Sequence, residues 1–308
     1  MSSFNPIAGY SVASALAFIA TFAAVAFTLN VFKGIAPVQS RPARLSHLFL
    51  KLAAPTLIVG LFLFGLSCAL IASSFTSYHN YDGISTAAAY ISMVSELFCV
   101  AANIGITLSL YTLAIAELYA VIGNNKWWKL LRLDAPAGGA ILMILNIAIF
   151  GRRIAISVEG EYGYADTVVQ RWFPFVINGT LLLVTVGVLV TVFYSGNKLK
   201  KRDGALQAAF SNIPTLLYIA TFLWLLRCSY AWALDIKVVG REWGTSGELA
   251  AIIILTPFLD LWTATALVYL LATVIRAPVW GDASAHPDPI NPGIAGSNGA
   301  QQDGHPKY

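Results

Sequence analysis

The stretch AAAYISMVSELFCVAANIGITLSLYTLAIAELYAVIG, from Ala87 to Gly123, is apolar over more than the length of a membrane crossing, yet it carries Glu96, Asn103 and Glu117. At about 100° per residue, Ser92, Glu96, Asn103, Thr107 and Glu117 fall within about 60° of Glu96 and form one polar stripe on a helix. Ionisable and amide side chains are costly in hydrocarbon, so such a face is expected to turn toward other helices or a wet cavity. The stretch therefore reads as a membrane helix at the centre of a bundle.

The rest of the chain fits that reading. Apolar residues make up 57% and charged residues 11%, and the mean hydropathy is +0.70, far from the roughly 25% charge of soluble domains. Seven apolar segments are predicted, at about 9–32, 52–75, 87–121, 135–158, 172–195, 208–235 and 247–275. Each meets or exceeds the ~20 residues that cross ~30 Å of hydrocarbon. In the fourth, Arg152 and Arg153 interrupt the apolar run. The expected fold is all-α: a polytopic bundle of seven transmembrane helices over 9–275, with a short extracytoplasmic N-terminus (1–8) and a disordered cytoplasmic tail rich in proline, glycine and serine (276–308).

Loop charge sets the orientation. Thirteen positive residues, among them Arg44, Lys51, Lys126, Lys129, Arg132 and Lys198 to Arg202, fall on one side, and five fall on the other (Arg152, Arg153, Arg171, Lys237 and Arg241). The excess marks the cytoplasmic face, which places the N-terminus outside and the C-terminus inside. The membrane itself is expected to be the plasma membrane or an endomembrane. Trp127, Trp128, Trp172, Trp243 and Trp280 lie near segment ends, where amphipathic rings favour the headgroup layer. The longest outer loop is expected over Ser157 to Arg171.

Two further charges fall in apolar surroundings: Arg227 in the sixth segment and Asp260 in the seventh. An unpaired guanidinium at that depth costs at least a few kcal/mol, so Arg227 needs a partner, with Asp260 the first choice and Glu96 the second. One reading is a structural ion pair. The other is an outward-open ligand pocket lined by Glu96, Asn103, Arg227, Tyr230 and Asp260, whose two carboxylates and one arginine leave a negative charge to hold a proton or a cationic ligand. Glu117 lies about 31 Å along the helix from Glu96 at 1.5 Å per residue, so it belongs to a different site and reads as a cytoplasmic lock to basic residues of the loops. Asn146 and Asn178 read as interhelical hydrogen-bond formers.

Several functions lose their chemistry. None of the nine lysines falls in a predicted span, so a retinal Schiff base has nothing to form on. The four histidines, His47, His79, His286 and His305, form no ligand-spaced cluster, so no metal is expected. No glycine-rich phosphate loop or aspartate-rich magnesium motif is present. No cofactor is called for, and the positive residues form no stripe for nucleic acid. Cys68, Cys99 and Cys228 all lie in apolar segments and imply no disulfide framework.

The runs Asn103-Ile-Gly-Ile-Thr-Leu-Ser-Leu-Tyr-Thr-Leu, Leu226-Arg-Cys-Ser-Tyr and Phe258-Leu-Asp-Leu-Trp with Val268-Tyr269 resemble a group of fungal seven-helix integral membrane proteins. The resemblance covers three helices and implies a family without adding an activity. The better-known receptor family differs, since Glu117-Leu-Tyr lacks that family's arginine and the seventh segment lacks Asn-Pro-x-x-Tyr. Three functions stay open: a receptor-like or sensor protein with an outer polar pocket, a lipid or small-solute translocator, and a metal-free intramembrane cyclase or isomerase using Glu96 or Asp260 as general acid. The expected partners are the lipid bilayer and a small lipophilic or cationic ligand.

Overall fold

The computed structural model describes residues 6–33, 41–76, 81–122, 126–159, 164–200, 212–240, 252–253, 255–277 and 280. They form α1 (Pro6–Lys33), α2 (Arg41–Ser74), α3 (Tyr81–Ile122), α4 (Lys126–Glu159), α5 (Tyr164–Leu199) and α6 (Ile213–Gly240). A π-helical turn, Pro257–Trp262, then runs into α7 (Thr263–Ile275). Among the described residues there is no strand, and seven helices are long and apolar enough to cross a membrane. The chain is a multi-pass, all-α membrane protein.

α3 is the axis of the bundle and packs against α2, α4, α5, α6 and α7. In its apolar window 61% of residues are buried, against 17% for α4, so α3 is central and α4 peripheral. The 42 residues of α3 make a rod of about 63 Å, about twice the hydrocarbon thickness, so its end turns extend past the apolar layer. The polar stripe divides accordingly. Asn103, Thr107 and Glu117 are buried, whereas Ser92 and Glu96 are exposed.

The closest helix pair is α2 and α3, where small residues let the backbones approach and hydroxyls hydrogen-bond across. A Cβ on Gly60 would lie 2.7 Å from Cys99 Sγ, and one on Gly105 would lie 2.8 Å from Ala53 Cβ. The Ser46 hydroxyl donates to Ser109 O at 2.9 Å, Ser95 Oγ to Gly60 O at 2.9 Å and Ser67 Oγ to Ala88 O at 3.1 Å. α4 contrasts with this. A Cβ on Gly138 or Gly151 would meet nothing within 4 Å. Gly138→Ala is therefore expected to raise stability by about 0.4–1 kcal/mol through the unfolded chain, and a fall in melting temperature would show that its surroundings are not open.

The seven predicted spans are present, with four corrections to their margins. α4 begins at Lys126, so Lys126, Lys129 and Arg132, expected in a loop, are helical, and it runs through Arg152 and Arg153 to Glu159, close to the expected 158, with Arg153 neutralised by a carboxylate on α3. α5 begins at Tyr164, so most of the loop expected over Ser157 to Arg171 is helix. α2 begins at Arg41 and takes in Lys51, which sits on an exposed face. Finally, Trp280, expected at the headgroup layer, packs against the end of α7. It is only 2% exposed, with its indole N–H donating to Val274 O at 2.8 Å. Residues 281–308 of the expected tail, Trp243 and the side chains of Trp127 and Trp128 lie outside the described residues.

Candidate functional site

At the end of the bundle away from the basic connections, α3, α4, α5 and α6 enclose a polar cleft of about 70 Å³. Each helix contributes a polar side chain to the lining: Glu96 from α3, Asn146 and Arg153 from α4, Asn178 from α5 and Asp235 from α6. The walls between them are apolar, formed by Met93, Leu97, Val100, Ile149, Phe150, Pro174 and Ile177. By the measure in which a single water needs about 10–15 Å³, the cleft holds several waters or one small solute.

The polar groups hold one another in place. Arg153 Nη1 is ion-paired with Glu96 Oε2 and side-chain exposures are 18% and 47%, so the pair sits at the rim. Exposed pairs are worth about 0–1 kcal/mol, which makes this one easy to open. Asn178 Nδ2 donates to Asp235 Oδ2 at 2.8 Å, and Asn146 Nδ2 donates to Leu97 O at 3.1 Å. Both asparagines therefore bridge helices. Beside the cleft, Trp232 stacks on Phe175 at 5.4 Å and lies over Gly179, where a Cβ would come 3.1 Å from its indole nitrogen.

A second polar cluster joins α6, α7 and α3. Arg227 Nη2 is ion-paired with Asp260 Oδ1, and its Nε donates to Asp260 O at 3.2 Å. The guanidinium also lies 4.5 Å from the Trp224 ring centroid. The Trp224 indole donates to Thr107 Oγ1 at 2.9 Å, and Thr107 Oγ1 donates in turn to Asn103 O at 2.8 Å. Tyr230 is hydrogen-bonded to Thr256 Oγ1 at 3.0 Å. The π turn carries Asp260 opposite Arg227, and wide turns of this kind recur at functional positions in helices.

The five pocket residues expected from sequence are thus divided. Arg227, Asp260 and Tyr230 lie together on the α6–α7 side, with Asn103 reached through Thr107 and Trp224. Glu96 faces α4 and pairs with Arg153 rather than Arg227, because α3 presents it to the helix that carries an otherwise unneutralised arginine. Sequence reasoning missed Arg153, Asn146, Asn178 and Asp235 as cleft residues. The available signal was Arg153 itself, since an arginine in an apolar run demands a carboxylate as surely as Arg227 does.

Glu117 is fully buried, and neither carboxylate oxygen has a hydrogen-bond partner among the described residues. Ser195 of α5 lies beside it, but the Ser195 hydroxyl donates to Val192 O at 3.0 Å. The basic connections that would complete the expected lock lie largely outside the described residues. Burying an unpartnered polar group costs about 1–3 kcal/mol. Glu117→Met is accordingly expected to raise the melting temperature of the purified protein, and a marked fall would reveal a partner for the carboxylate.

No family model, curated protein or solved structure matches the chain.

Proposed function

We propose that this multi-pass membrane protein is a receptor-like or sensor seven-helix protein whose cleft between α3, α4, α5 and α6 receives a small ligand from outside the cytoplasm. One observation carries the reading: four helices place Glu96, Arg153, Asn146, Asn178 and Asp235 around a single cleft at the end away from the basic connections. By the positive-inside rule that end faces outward. Drug-sized ligands occupy pockets of about 300–1,000 Å³, so a cleft of about 70 Å³ suits a solute of a few heavy atoms. A ligand shared among four helices can bias their packing only by its differential affinity for two arrangements. The loosely held α4 is the natural element to move. The fungal seven-helix proteins that the α3, α6 and α7 sequences resemble are the group in which we place the chain.

A translocator is the second reading, favoured by the buried acceptors that continue down α3, Asn103 Oδ1 and the Glu117 carboxylate, both without partners among the described residues. Leu110 and Leu113, almost fully buried between them, interrupt that row. The general-acid enzyme draws less support, since both of its candidate acids are held in ion pairs. Reconstitution into liposomes separates the first two. A receptor binds small solutes saturably at the outer face without accumulating them in the lumen. Time-dependent accumulation that stops on Asp235→Asn would overturn the receptor reading in favour of transport.

A further inference from the structure

We infer that the cleft binds a primary ammonium group, with Asp235 as its anchoring carboxylate. This deepens the proposed ligand-binding role of the cleft and rests on it.

The charge of the lining comes first. Two carboxylates, Glu96 and Asp235, face one guanidinium, Arg153, and that guanidinium is ion-paired with Glu96. Asp235 is held by a neutral donor, the Asn178 amide, while Glu96 and Arg153 act on it through space with opposite signs. The lining therefore carries one more negative than positive charge. Hydrogen bonding is divided along the cleft: Asn146 and Asn178 each keep one amide N–H and Arg153 keeps N–H groups beyond its pair, while the Asp235 carboxylate offers a ligand acceptors alone.

A primary ammonium supplies three donors and one positive charge in a compact head, which suits a cleft of about 70 Å³. Two other cations fit less well. Quaternary ammonium groups, which have no N–H, are recognised by aromatic cages, and the lining holds one aromatic ring, Phe150. A metal ion needs a ligand cluster, and no group of three His, Cys, Asp or Glu residues that could hold one is found among the described residues.

Two sources present this chemistry: a free small amine, and a phospholipid with a primary-amine headgroup. The rim of the cleft is open at Glu96, whose side chain is 47% exposed, so either source has a way in.

The test uses the full chain in nanodiscs of phosphatidylcholine, alone or mixed with phosphatidylethanolamine. Thermal unfolding is followed against methylamine and ethanolamine, with tetramethylammonium and acetate as controls. The expected result is saturable stabilisation by the primary amines, none by tetramethylammonium, and binding weakened roughly tenfold to a hundredfold in Asp235→Asn through loss of one charge-assisted hydrogen bond. Glu96→Gln gives a second, independent variant should Asp235→Asn fail to fold. If the lipid is the source, phosphatidylethanolamine stabilises the parent but not the variants, and blunts the response to free amines. If the amine is the source, the two lipid compositions behave alike. Saturable binding of acetate in place of amines would overturn the ammonium inference while leaving the ligand-binding cleft intact. Absence of any saturable response in either lipid would overturn both, as would a primary-amine response unchanged in both variants.

Discussion

Asp260→Asn lowers the melting temperature in detergent or nanodiscs more than Arg227→Met does, and the double variant recovers much of the loss. The asymmetry follows from burial: the Arg227 side chain is 4% exposed and that of Asp260 27%. Removing the aspartate charge leaves a guanidinium almost out of contact with water, and breaking a buried pair in this way costs about 3–5 kcal/mol. Removing the arginine leaves a carboxylate only partly enclosed by the bundle, at a cost nearer the roughly 1–3 kcal/mol of an unpartnered polar group. In the double variant neither position carries an ion to neutralise, so the losses are strongly non-additive. Additive losses would show that the two residues act through separate partners, and three variants as stable as the parent would show that the cluster does not hold α6 to α7.

Gly105→Leu prevents α2 and α3 from packing at their native separation and sharply reduces the yield of folded protein. Even alanine puts its Cβ 2.8 Å from that of Ala53, an atom fixed to the backbone of the facing helix. Overpacking of this kind costs about 1–3 kcal/mol for small additions, and leucine exceeds that because no flexible neighbour can give way. Gly105→Ala combined with Ala53→Gly restores the space and is expected to recover most of the stability lost by Gly105→Ala alone. Size-exclusion profiles with thermal unfolding decide the matter. A Gly105→Leu protein as stable as the parent would mean that the two helices stand further apart than these contacts require.

The seven crossings are legible in the sequence because length and hydropathy are read along the chain, one segment at a time. Side-chain partnerships are not, and their legibility depends on how many partners stand out. Arg227 and Asp260 each stand out against apolar neighbours, so their pairing can be named from sequence. Arg153 reads as the end of an apolar run, although its pairing with Glu96 lets α4 continue to Glu159. Asp235 falls at the edge of the sixth segment and resembles a boundary residue, whereas its role depends on Asn178, 57 positions earlier in the chain. The stripe on α3 follows from angle alone. Angle does not tell that Glu96 lies at an exposed level and Glu117 at a buried one, because this depends on where the neighbouring helices end.

The π-helical turn Pro257–Trp262 has a consequence for how this protein tolerates changes in length. A π turn accommodates one residue more than α geometry would, and one residue in an α-helix is about 100° of rotation. Deleting Leu259 would let the segment close into a regular helix with both sides in place, whereas winding all of its present residues as a regular α-helix would put the two sides of the turn out of phase. Either Asp260 swings away from Arg227, or Ala264, Leu267, Val268 and Leu271, all buried in α7, rotate toward the lipid. The extra residue therefore works as a phase shifter, allowing a helix whose inner face is set by apolar packing to present a carboxylate at an angle that packing alone would not supply.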